Sequence, residues 1–318
     1  MRKTSILFIG LGGIGAPIAS KLISRSDLSL SFISKSIAVV GSTRAITIEQ
    51  ADKKQLFEIA ANAPLNEKDT AADIIILSCK AHQNRDIYPS VVSYSDKNTL
   101  LLVLQNGIGI SRELARHNFP GVTFDSVVVS SSHQVSTDVI SVQKNPELFL
   151  SVEYQHHVKQ FSLLKDIFDN SEVSYHLCQA SAEELMWRKF AFVICISSAT
   201  VKFPGPCSMI IEHSLCLNFF KSLCREFTIF AVSRKISFDV DELIEDGLSR
   251  VRNMPVKNYS SMTLDALEYK YGELEFFLEE ILLNEQGEFP GFKSIANLLS
   301  QVRRQRQKSA TATLSQLR

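Results

Sequence analysis

The sequence lacks an excess of charge of either sign: 34 lysines and arginines balance 34 aspartates and glutamates over 318 residues. No global positive field exists to gather nucleic acid or anionic lipid, so neither is expected as a partner. A disulfide framework is also missing. Cys79, Cys178, Cys195, Cys207, Cys216 and Cys224 form no CxxC pair, and most lie in apolar segments, as buried small hydrophobes do in a reducing compartment. His213 and Cys216 have a spacing that could ligate a metal on a helix, but no second cluster accompanies them, so packing is the expected role and no metal is expected. No apolar run approaches the roughly 20 residues of a membrane span; the longest strict run is residues 190–196. The start imitates a leader, with Arg2 and Lys3 before an apolar stretch, yet four glycines interrupt that stretch and a cytoplasmic protein is expected.

What is present is ordinary globular composition, 45% hydrophobic and 21% charged, in a chain long enough for two cores. Residues 5–9 and 28–33 read as strands, and the apolar runs at 72–80 and 99–107 end abruptly in polar residues, a form that 126–133 repeats. Unbroken rather than alternating strands, separated by helical lengths, predict a parallel sheet covered on both faces. Residues 55–61 are expected as a short helix, and 135–153 as a hairpin closing the domain. Near residue 180 the character changes. Ser181 and Glu184 form a capping box, and helices are expected at 181–200, 208–235, 240–250, 261–285 and 291–305. The last residues carry a basic run, Arg303 to Lys308, in a polar tail with too few apolar groups to offset its ordering entropy.

Gly10-Leu11-Gly12-Gly13-Ile14-Gly15 satisfies G-x-G-x-x-G directly after a strand and at the opening of a helix. Glycines allow a tight turn and close approach of backbone to a pyrophosphate, which the free N–H groups and dipole of the helix then hold. About 20 residues on, where an acid would hold the ribose of NAD, the chain has Ser34-Lys35-Ser36 and no carboxylate. A lysine between hydroxyls suits the 2′-phosphate of NADP; the alternative is a solvent-facing loop lysine. The other expected strand ends are Lys80, Gln105-Asn106-Gly107 and Ser130-Ser131-Ser132-His133, and together they describe a binding edge. The expected fold is α/β: an N-terminal Rossmann-type parallel-sheet domain over residues 1–178, an all-α domain over 179–305, and a disordered tail over 306–318.

Two charged residues stand out in the helical half. Lys189 has Leu185, Met186, Phe192 and Val193 as helical neighbours, so burial would lower its pKa and suit it to donate a proton near neutrality; snorkelling beside Glu183 and Arg188 is the alternative. Glu273 lies among Tyr269, Lys270, Phe276 and Phe277, either half buried with a partner or at the flank of its helix.

The segments GLGGIG (10–15), LSCKAHQ (77–83), LQNGIG (104–109), ELMWRKF (184–190) and SSMTLDALEYKYGELE (260–275), in this order and spacing, resemble the ketopantoate reductase (2-dehydropantoate 2-reductase) family. The resemblance implies an NADP-dependent oxidoreductase of pantothenate biosynthesis that reduces a small 2-oxo acid, ketopantoate, to pantoate. It implies Lys189 as general acid and Glu273 as the carboxylate orienting the reacting oxygen and the lysine. It places Lys80 and Gln83 by the nicotinamide, Asn106 against cofactor and substrate, Ser261 on the substrate carboxylate, and Lys35 on the 2′-phosphate. A homodimer is compatible with it. The chain departs from the family at Val193 and Ser197, where asparagines stand four and eight residues after the lysine, and at Leu278-Glu279, where the family has Asn-Gly. Ser197 remains a substrate-side candidate. The rival readings are a reductase for a different small oxo acid, a 3-hydroxy acid dehydrogenase, and an NADP-binding sensor without catalysis.

Overall fold

The computed structural model describes residues 2–34, 43–50, 53–60, 71–268, 271–284 and 287–316. Two compact units emerge, Met1–Trp187 and Arg188–Arg318. The first runs β1 (Thr4–Ile9), α1 (Gly15–Leu22), β2 (Leu28–Ile33), β3 (Thr43–Gln50), β4 (Lys53–Ala60), β5 (Ile74–Leu77), α2 (Asn84–Ser93), β6 (Leu100–Val103), α3 (Ile110–Arg116), β7 (Val122–Asp125), β8 (Val127–Ser136), β9 (Val139–Ser151), α4 (Val158–Asp169) and β10 (Ser174–Cys178).

Strands β2-β1-β5-β6-β7 form one sheet in which every pairing is parallel. Alternate side chains feed separate cores. Ile6, Phe8, Ile74, Ile76, Leu100 and Leu102 pack with Ile18, Ala19 and Leu22 of α1. Leu7, Ile9, Ile75, Leu77, Leu101 and Val103 pack with Tyr88 and Val91 of α2 and Leu114 of α3. Coverage of both faces is why these strands read as unbroken apolar runs.

Two sequence expectations in this unit are corrected. Of the expected helix 55–61, residues 55–60 instead belong to β4, antiparallel to β3, and residue 61 lies outside the described residues. Phe57 and Ile59 are buried while Leu56 and Glu58 are exposed, a period of two that a short window hides. Residues 126–133 do not extend the parallel sheet; β7 is its fifth strand, and β8 pairs antiparallel with β9 in a second sheet ordered β10-β9-β3-β4. The serines of β8 leave it half-exposed, which suits an antiparallel strand with one wet face.

The second unit is helical, from α5 (Ala182–Lys202) through α6 (Met209–Glu212), α7 (Ser214–Ser233), α8 (Val240–Arg252), α9 (Ser261–Leu267), α10 (Glu273–Leu282) and α11 (Pro290–Gln316). The capping serine expected at the start of α5 is in place, Ser181 Oγ accepting the Glu184 N–H at 3.1 Å. His213 breaks the expected 208–235 helix with extended backbone and caps α7, its Nδ1 accepting the Cys216 N–H at 3.4 Å. Gly272, also extended, starts α10, and the Glu275 carboxylate returns to its N–H at 3.1 Å. Helix α11 is capped across the fold, the buried Glu226 carboxylate accepting the Gly291 and Phe292 N–H groups at 2.7 and 3.1 Å. It continues to Gln316 through the residues expected as a disordered tail; arginine, lysine, glutamine and alanine there have high helix propensity.

All six cysteines are free. Among the described residues no helix is long and apolar enough to cross a membrane.

Candidate active site

In the first unit the chain leaves β1 to one side toward β2 and returns through β5, β6 and β7 on the other. The strand ends beside this switch of direction are where an open α/β sheet accommodates a ligand. The turn after β1 is held tightly. Gly10 has φ +102°, and a side chain there would start 2.4 Å from the Cys79 nitrogen. Gly15 opens α1 so close to β1 and β5 that a Cβ would lie 2.3 Å from the Gly10 carbonyl oxygen and 2.4 Å from Ser78 Oγ. Gly12 is different: a Cβ would meet no protein atom within 4 Å. Packing therefore demands three of the glycine-turn positions, since Gly13 is also crowded by Ser132, and leaves the fourth facing open space.

Hydroxyls fasten the turn. Ser78 Oγ donates to the Gly10 carbonyl at 2.8 Å, and Ser132 Oγ donates to the Gly13 carbonyl. The sequence alone did not single out Ser78, and it expected Ser132 at the end of a parallel strand rather than on β8. Helix α1 starts with no side-chain cap and no acidic residue in its first turn, so its N-terminal N–H groups and dipole keep their affinity for an anion. An open glycine beside an uncapped helix start fits a dinucleotide pyrophosphate.

The ends of β5 and β6 meet at Gln105. Its Nε2 donates to the Cys79 carbonyl at 2.8 Å and to Asn84 Oδ1 at 2.6 Å, clamping the segment that bears Lys80 and Gln83. Lys80 is half-buried and precedes the single turn of 3-10 helix Ala81–Gln83, where the Gln83 N–H bonds its carbonyl at 3.0 Å. Asn106 is half-buried and is followed by Gly107 at φ +108° and Gly109 at φ +75°, left-handed positions that turn the chain into α3. The glycine turn, Lys80, Gln83 and Asn106 thus all lie at the carboxyl ends of β1, β5 and β6. Lys35 lies outside the described residues.

In the second unit Lys189 is half-buried on α5. Burial, with a smaller contribution from the Arg250 guanidinium, lowers its pKa from the ordinary 10.5 to about 8. None of the ion pairs among the described residues joins it to Glu273, which is buried as the first residue of α10. Arg250, which sequence reasoning missed, bonds Asp246 at 2.9 Å and lies 5.2 Å over the Phe192 ring.

Ser197 is fully buried, and its Oγ meets Ser260 Oγ at 2.6 Å. Ser260, rather than its neighbour, caps α9 by accepting the Thr263 N–H at 3.2 Å. Ser261 is exposed in the first turn of that helix. Leu278 is core, and Glu279 accepts the Tyr271 hydroxyl at 3.1 Å.

The family model described as ketopantoate reductase PanE/ApbA matches residues 6–151, and that of the ketopantoate reductase PanE/ApbA C terminal matches residues 181–285. No curated protein matches the sequence. Among solved structures, a dimeric ketopantoate reductase from Staphylococcus aureus is 18% identical, with a TM-score of 0.74 over 95% of this chain and 99% of that one. A 2-dehydropantoate 2-reductase from Geobacter metallireducens GS-15 is 17% identical, with a TM-score of 0.76 over 94% and 99%. D-mandelate dehydrogenase, solved with NADH and anilino(oxo)acetate, is 17% identical, with a TM-score of 0.79 over 95% and 98%. At such identities the structures speak for the fold, whereas the two family models cover most of the chain: it is an oxidoreductase and belongs to the ketopantoate reductase PanE/ApbA family.

Proposed function

We propose that the protein reduces a 2-oxo acid to the 2-hydroxy acid with NADPH, with ketopantoate, reduced to pantoate, as the reference substrate. The observation that carries this reading is the half-buried Lys189 ammonium with its pKa near 8, a proton donor matched to neutral pH. Bound NADPH supplies the hydride. The glycine turn Gly10–Gly15 and the start of α1 would hold the pyrophosphate, and Lys80, Gln83 and Asn106 would line the nicotinamide. Lys35 would meet the 2′-phosphate. The partners are then a small oxo acid and, as the Staphylococcus relative's dimer makes reasonable, a second copy of the chain.

In the reaction Lys189 Nζ gives a proton to the carbonyl oxygen as negative charge develops there, and the remaining amine is tolerated because burial already disfavours the charged form. Ser261 would bind the substrate carboxylate, and Glu273 would act on the reacting oxygen from the start of α10. Ser197 supports this machinery through Ser260 and α9.

Purified protein mixed with NADPH and a panel of 2-oxo acids, followed by loss of NADPH absorbance, tests the reading. Reduction of at least one member, lost in Lys189→Ala, is expected. Turnover equal to that of Lys189→Ala across the whole panel overturns it. A different small oxo acid as the natural substrate is the second reading, and the composition of α5 after the lysine favours it.

A further inference from the structure

Helical geometry stacks positions 189, 193 and 197 one turn apart along one side of α5, with 192 beside them. After the lysine, the accessible members of this face are Phe192 and Val193, both half-buried. Val193 offers only methyl groups one turn from the ammonium. Ser197 lies a turn deeper, fully buried, with its hydroxyl bonded to Ser260 at 2.6 Å. Thr200 follows, its hydroxyl bonded to the Ile196 carbonyl at 2.9 Å and to Thr263 Oγ1 at 2.7 Å. The Arg250 guanidinium covering Phe192 is paired with Asp246. Each hydroxyl on this face is therefore engaged within the protein, and what α5 itself presents in the turn after the proton donor is hydrocarbon.

We infer that the substrate is a 2-oxo acid with an apolar branched or aromatic side chain, and that Val193 sets this preference against side chains bearing a hydroxyl. The inference rests on Lys189 being the proton donor, which fixes the oxo carbon near this face. A hydroxyl carried onto methyl groups gives up its hydrogen bonds to water without replacement. An unpaired polar group of this kind lowers specificity by roughly 5- to 150-fold.

Ketopantoate and trimethylpyruvate differ only in a hydroxyl and isolate the effect. In the full chain with NADPH, kcat/KM for trimethylpyruvate is expected to exceed that for ketopantoate by about tenfold or more. Val193→Asn should move the ratio toward ketopantoate by a similar factor, and Val193→Thr, nearly the same shape, should move it partway. Calorimetric binding of the two acids to the protein saturated with NADP⁺ should rank them in the same order without any turnover. Preference of the wild type for ketopantoate, or a ratio unchanged in both variants, overturns the inference and leaves oxo acid reduction standing. Turnover of every oxo acid no faster than in Lys189→Ala overturns the underlying reading and this inference with it.

Discussion

At the glycine turn the chemistry is carried by the backbone, and on α5 it is carried by side chains. The turn needs only the absence of Cβ atoms and a helix start without a cap, and both are properties of a few consecutive residues. The α5 face depends on partners far along the chain: Arg250 on α8 and Ser260 before α9. A backbone site tolerates change around it and fails when a methyl is added. A side-chain site keeps its shape and changes its chemistry one substitution at a time. On the proposed function, the first region specifies a cofactor class, and the second specifies what is done with it.

The largest expected effect lies on α5. Lys189→Met should lower kcat by roughly 10²- to 10⁴-fold, the usual span for losing a general acid, with NADPH affinity within about twofold of wild type by fluorescence titration. The same variant should be more stable at pH 7. Below about pH 8 the native ammonium bears a burial cost that the unfolded chain does not, and the cost fades as pH rises from about 8 toward 10.5. Methionine removes it, so unfolding at pH 7 should require about 1–3 kcal/mol more. The gap between the two proteins should close above pH 10.5. A variant less stable than wild type at neutral pH would mean that the ammonium is well paired rather than desolvated.

The glycine turn makes the opposite demand and can be tested with one methyl. Gly15→Ala places a Cβ against the Gly10 carbonyl and Ser78 Oγ, both backbone or bonded to backbone, and should cost about 1–3 kcal/mol of stability. Gly12→Ala places its Cβ in open space and should leave the melting temperature unchanged while weakening NADPH binding by about tenfold or more. Equal loss of stability in both variants would remove the distinction between a packing glycine and a ligand glycine.

These differences also explain what could be read in the sequence. Unbroken runs such as residues 72–80 and 99–107 announced a sheet covered on both faces, because burial on two sides leaves no polar alternation. The β4 strand was misread as helix because Leu56 is apolar yet exposed, which blurs a period of two over eight residues. Lys189 was legible because its apolar neighbours are local. The Ser197–Ser260 bond and the Arg250 guanidinium were not, since pairs some sixty residues apart leave no mark on either segment.

A smaller effect is expected at Lys35, in the backbone-built half. As the proposed 2′-phosphate contact it supplies a single charge, so Lys35→Ala should reduce the preference for NADPH over NADH by about tenfold and leave kcat unchanged. An unchanged ratio of kcat/KM for the two cofactors would return Lys35 to the role of a loop lysine.

The smallest effect is a shift in pH dependence on the side-chain half. Lys189 must carry its proton to act as acid, so kcat should fall as pH rises through about 8. Arg250 lowers that pKa by like-charge repulsion, and Arg250→Met removes the repulsion while leaving Asp246 without its partner. Both changes stabilise the ammonium, so the alkaline limb should move upward. Burial is the larger cause of the depressed pKa and stays in place, which limits the movement to about half a pH unit. A limb that moves downward would show that Arg250 acts on Lys189 through packing rather than charge, because losing the cation and freeing the Asp246 carboxylate both favour the ammonium.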